Sequence, residues 1–110
     1  MNQEKRGLRF PFSTTADIIP GGSCESIPAR VTELSLRGCF LEPSSSLKER
    51  QRVLVKIAHS GEYFEAPAEV LYVRPTGVGV VFGDMKPAFR KVLQSWILTA
   101  LDQQVAVKES

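Results

Sequence analysis

Between Phe10 and Phe82 the chain is written in short runs that alternate apolar and polar residues, cut at clusters of Pro, Gly and Ser. A period of two puts one face of each run in a core and the other in water, so this stretch must form sheet. FPFSTTADII is a first strand, and PGGS at 20–23 supplies the residues a chain reversal requires. IPARVTELS at 27–35 sets Ile27, Ala29 and Val31 against Pro28, Arg30 and Thr32. CFLE at 39–42 follows closely, and between them residues 34–38 break the alternation, where Gly38 predicts a tight bend or bulge. A polar loop at 43–51, with room for a short helical turn, leads to RVLVKIAH at 52–59. Ser60 and Gly61 then signal a hairpin into YFEAPAEVLYVR at 63–74, so these two strands are antiparallel neighbours. Pro67 in the second predicts a bulge or an edge position, because proline has no N–H for a ladder. PTG at 75–77 turns the chain into VGVVF at 78–82, with Val78, Val80 and Phe82 on one face, which makes six strands.

From Met85 the period changes. Phe89, Val92, Leu93, Trp96, Ile97, Ala100 and Leu101 fall at the spacing of one helical face, with Lys86, Arg90, Lys91, Gln94 and Ser95 opposite. Pro87 sits in the first turn, where its missing N–H costs little, and Asp84 or Gly83 is placed to cap it. The apolar stripe needs a surface to cover. The economical arrangement is a mainly β fold, a small six-stranded antiparallel β-barrel with the C-terminal α-helix across an open end or flank. Residues 1–9 read as a flexible basic arm, 10–101 as the barrel and helix, and 102–110 as a frayed tail.

Composition bounds the function. The 110 residues suffice for one domain, and 43% hydrophobic against 24% charged residues excludes disorder as a general description. Of the formal +2 charge, all resides in the first nine residues, where Lys5, Arg6 and Arg9 face only Glu4. The balanced remainder lacks the basic stripe with interleaved aromatics that single-stranded nucleic acid requires, so a small RNA-binding barrel is disfavoured. No stretch approaches the ~20 apolar residues of a membrane helix, and the basic start has no apolar core behind it. The expected location is the cytoplasm. Cys24 and Cys39 match neither a zinc pattern nor a disulfide framework and read as reduced thiols, Cys39 in the core and Cys24 exposed.

Catalysis finds little to work with. His59 is the one histidine, beside a hairpin turn where such a ring is ordinarily solvated, and general acid–base chemistry needs a base with an orienting partner. No metal site and no cofactor follow from one His and two separated Cys. GVG at 77–79 is too short for a nucleotide fingerprint and precedes a strand, so Gly77 and Gly79 serve the turn and barrel curvature. The expectation is a protein that is not an enzyme.

Two features remain. KRGLRF puts three cations into five positions directly before the first strand, and guanidinium groups fork onto phosphates and stack on flat bases. ELSLRGCF at 33–40 places an acceptor at Glu33, a hydroxyl at Ser35 and a close-approach residue at Gly38. Each alone is an ordinary solvated terminus or an ordinary bend. Joined in this order ahead of a small barrel and a terminal helix, they closely resemble the PilZ domain family, bacterial receptors for cyclic diguanylate (c-di-GMP), from about Glu4 to Leu101.

In that family an Arg-x-x-x-Arg arm and an Asp/Asn-x-Ser-x-x-Gly strand motif clasp the ligand together, usually as an intercalated dimer. Arg9 matches the second arginine; the position four before it is Lys5, and Arg6 stands three before it. Glu33 replaces the family's Asp or Asn, while Ser35 and Gly38 match as they stand. The resemblance implies a c-di-GMP site made of Lys5, Arg6, Arg9, Glu33, Ser35 and Gly38, and a signal passed to an unidentified partner protein. It also implies no nucleic-acid polymer and no membrane insertion, and it leaves a homodimer open. The alternative it admits is a divergent domain that does not bind the nucleotide and serves as a protein-interaction module in motility or secretion machinery.

Overall fold

The computed structural model describes residues 10–109, with side chains through Asp102. The strands are β1 (Phe10–Pro20), β2 (Ile27–Leu34), β3 (Gly38–Pro43), β4 (Arg52–His59), β5 (Glu62–Arg74) and β6 (Gly77–Phe82), followed by the helix α1 (Pro87–Glu109). All pair antiparallel in the closed order β1-β2-β3-β6-β5-β4. Short turns supply four of the seams; the long-range pairings β1–β4 and β3–β6 close the barrel. Closure removes the unpaired edges that six short strands would otherwise present.

The inward positions make one core. Ile18, Val31, Leu41, Val55, Ile57, Phe64 and Val70 are fully buried and come from five different strands. Leu47, in the loop between β3 and β4, is buried in the same cluster. That loop is pinned by Ser44 N–H donating to Pro28 O at 2.9 Å and Arg50 N–H donating to Val70 O at 2.7 Å. Pro67 occupies a position that explains its missing N–H. Its carbonyl accepts from Gly83 N–H at 2.7 Å, just past the end of β6, so on that side the ladder has already run out.

The helix packs on β5 and β1 through Phe89, Val92, Leu93, Trp96 and Ile97, of which Leu93 and Trp96 are buried. Two details differ from the sequence reading. Leu101, expected on the packed face, is exposed. Lys86, rather than Asp84 or Gly83, brackets the first turn: its carbonyl accepts from Phe89 and Arg90 N–H, both at 3.0 Å. Among the described residues no helix is long and apolar enough to cross a membrane.

Two one-residue bulges decide what faces outward on one side of the barrel. In β2 the register steps from Val31↔Leu41 to Glu33↔Phe40, leaving Thr32 as the extra residue. In β5 it steps from Val70↔Val80 to Tyr72↔Gly79, leaving Leu71 extra. Because side chains alternate with a period of two, each insertion reverses the facing of every later residue in its strand. Without the first bulge Glu33 would point into the core; without the second, Leu71 would take the place of Tyr72. The interruption expected at residues 34–38 is therefore a turn, and the bulge lies earlier, at Thr32.

Candidate functional site

The bulges create a straight outward row across four strands: Glu33 on β2, Phe40 on β3, Gly79 on β6 and Tyr72 on β5. This row runs through a groove of about 400 Å³, also lined by Ser35, Arg37, Gly38 and Arg74, a size within the usual range for small-molecule sites. Its floor is glycine. A Cβ on Gly79 would overlap the Tyr72 ring, so the bare backbone there lets the ring lie flat on β6. Phe40 and Tyr72 stand 6.3 Å apart between ring centroids, and the Arg74 guanidinium lies over the Tyr72 ring at 4.6 Å. Gly79 thus does more than permit barrel curvature.

The turn between β2 and β3 borders the same groove. Ser35 is buried, and its Oγ accepts from Arg37 N–H and Gly38 N–H at 3.2 Å each while donating to Gly38 O at 3.2 Å. Ser35 N–H also donates to Gly38 O at 2.9 Å, so backbone and side chain close the same tight loop. Gly38 is required for a separate reason. A Cβ there would overlap the Val80 carbonyl oxygen, with Val81 Cα only 3.1 Å away, so β3 could not approach β6. Arg37 is held at the rim, its carbonyl accepting from Phe82 N–H at 2.7 Å.

Of the residues singled out in the sequence, Glu33, Ser35 and Gly38 come together in this groove. Lys5, Arg6 and Arg9 lie outside the described residues. The strand directly after them begins at the groove, with Phe10 opposite Leu34 and Pro11 opposite Glu33. Arg37 stands beside Gly38 within ELSLRGCF, while Phe40, Tyr72 and Arg74 carry no motif of their own. The signal that reaches Tyr72 and Arg74 is the PTG turn: its hairpin register sets Arg74 opposite Gly77 and Tyr72 opposite Gly79.

Burial pushes the Cys39 thiol up to about 12, which keeps it protonated and inert, whereas Cys24 is exposed. His59 departs from the solvated turn ring expected of it. It is half-buried between Phe12, at 4.5 Å, and Trp96, at 5.5 Å, where α1 meets the barrel. Among the described residues no three His, Cys, Asp or Glu side chains gather as a metal ion would require.

The Ser35 bonds make a direct prediction. Ser35→Ala leaves two turn N–H groups without that acceptor in a buried place, at a cost of about 1–3 kcal/mol. The urea midpoint should fall accordingly, and an unchanged midpoint would contradict the role given to Ser35.

A closed six-stranded barrel, a terminal helix packed on it and a Glu-x-Ser-x-x-Gly segment beside an outer groove define the class of fold. The chain belongs to the PilZ domain family, whose model matches residues 2–99. Among solved structures it is similar to the PilZ domain of YcgR from Escherichia coli with c-di-GMP, at 14% identity and a TM-score of 0.76, over 96% of this chain and 97% of that one. It is also similar to the PilZ domain of CeSA from a cellulose-synthesizing bacterium, at 12% identity and a TM-score of 0.67, over 88% and 98%. No curated protein sequence gives a match.

Proposed function

We propose that this chain is a c-di-GMP receptor that holds the nucleotide between residues 1–9 and the groove on β2, β3, β6 and β5. The observation that carries the reading is that Glu33, Ser35 and Gly38 converge on one groove at the point where β1 begins, directly after the basic segment in sequence. The YcgR domain with c-di-GMP, similar in fold, supports it.

The chemistry of the groove suits the ligand. Two phosphates need cations, which Lys5, Arg6 and Arg9 provide, with Arg37 at the rim. A guanine presents N–H donors on its pairing edge, and the Glu33 carboxylate accepts from them. Ser35 and Gly38 act by shape, the first holding the turn and the second seating β3 against β6. The domain senses rather than catalyses: ligand held against residues 1–9 changes the surface offered to a partner protein.

Titration calorimetry of the full chain tests this. The wild type should give saturable heat with c-di-GMP, and Arg9→Ala should lose it while keeping the wild-type unfolding midpoint, since Arg9 precedes the core. No heat at high micromolar nucleotide from folded protein overturns the reading and favours a protein-interaction module. A midpoint lowered in Arg9→Ala as far as in a core variant would show that Arg9 serves the fold.

A further inference from the structure

We propose that Tyr72 and Arg74 form a preassembled platform that receives a guanine base and sets the groove's preference for guanine over adenine. The inference rests on the reading of the groove as a cyclic dinucleotide site and adds to it a second recognition element, on the side of the groove away from Glu33.

The geometry is specific. The β5 bulge at Leu71 brings Tyr72 onto the outward row, and the absence of a side chain at Gly79 gives its ring a flat seat. Two residues further along the strand, Arg74 reaches back over the ring at 4.6 Å. A guanidinium stacked on an aromatic ring has its plane fixed, while its outward face and its edge N–H groups remain available to a ligand. Arg74 is exposed and lines the groove. The arrangement offers a base both a flat cationic surface and a fork of donors.

Donor chemistry then selects the base. Guanine presents two acceptors, O6 and N7, side by side, which a guanidinium edge satisfies as a pair. Adenine presents N7 beside the N6 amino group, a donor that meets another donor. Across the groove, Glu33 accepts from the opposite, donor-bearing edge of a guanine. The two walls therefore read complementary edges, one with an acid and one with a base, and the outward row Glu33, Phe40, Gly79, Tyr72 sets their separation.

The experiment measures affinities of c-di-GMP and cyclic diadenylate for the wild type, Arg74→Ala, Arg74→Lys, Tyr72→Phe and the Tyr72→Ala/Arg74→Ala pair, with an unfolding midpoint for each. Arg74→Ala should weaken c-di-GMP by about tenfold to a hundredfold and narrow the gap to cyclic diadenylate. Arg74→Lys should not restore it, because an ammonium lacks the planar fork. Tyr72→Phe should bind as the wild type does, and the double variant should be scarcely worse than Arg74→Ala, because the two side chains act as one unit. If the wild type binds c-di-GMP and Arg74→Ala binds it equally well with the same preference, the platform is refuted and the receptor reading stands. A wild type that binds neither nucleotide overturns both.

Discussion

Trp96→Ala should destabilise the domain by about 3–5 kcal/mol, the largest loss expected of a single side-chain truncation in this fold. The ring is the centre of the joint between α1 and the barrel. It packs with Phe64 at 6.1 Å, Phe12 at 5.6 Å and His59 at 5.5 Å between centroids, and its Nε1–H donates to Glu62 Oε1 at 3.1 Å. Truncation opens a cavity under the helix and removes the Glu62 partner at once. Against a typical domain stability of about 5–15 kcal/mol, that is a large share. Trp96 is the one tryptophan in the chain, so unfolding must be followed by far-ultraviolet circular dichroism. Trp96→Phe, which keeps most of the packing and loses the N–H, should fall in between. A midpoint for Trp96→Ala near the wild-type value would mean that α1 is not a structural part of the barrel.

Gly38→Ala should be nearly as damaging, by about 3 kcal/mol or more, for one added carbon. Overpacking is tolerated when a flexible side chain can swing away. Here the obstacle is the Val80 carbonyl oxygen, part of the β3–β6 seam that closes the barrel. The seam must open or the turn must move, and the turn carries the Ser35 bonds and follows directly on the end of β2 that holds the Glu33 carboxylate. Stability and ligand affinity should therefore fall together. Gly79→Ala offers the contrast. Its obstacle is the Tyr72 ring, which can rotate out, so its midpoint should suffer less while its groove loses the seat of that ring. Equal losses of stability in the two variants would contradict this distinction between backbone and side-chain obstruction.

Both substitutions touch features that differ in how far the sequence reveals them. The strands were legible because alternation and turn residues agree locally: Ile27, Ala29 and Val31 against Pro28, Arg30 and Thr32 needs no partner to interpret. The helix was equally legible from its spacing. The bulges were not. Val70, Leu71, Tyr72 and Val73 are all apolar or amphipathic, so nothing local says which of them faces the core. Their phase is set by pairing with Val80 and Gly79 on β6. For the same reason the groove was half legible. Glu33, Ser35 and Gly38 form a compact pattern within six residues at the β2–β3 junction, whereas Tyr72 and Arg74 join them only through the strand order β2-β3-β6-β5. The parts played by Ser35 and Gly38 were also hidden. A hydroxyl bonded to its own turn and a glycine pressed against a neighbouring strand look, in sequence, the same as residues waiting for a ligand.

In the proposed complex c-di-GMP sits in the groove between the basic N-terminal segment and the outer face of the barrel. Backbone amide chemical shifts of the full chain, followed by nuclear magnetic resonance as the nucleotide is added, report on that placement residue by residue. Saturable shifts are expected at residues 5–9, at 33–38 around the Ser35 turn and at 72–74 and 76–79 around the glycine floor, with the amides of residues 21–26, between β1 and β2, little moved. An unchanged spectrum at saturating nucleotide, or shifts confined to regions away from the groove, would contradict it.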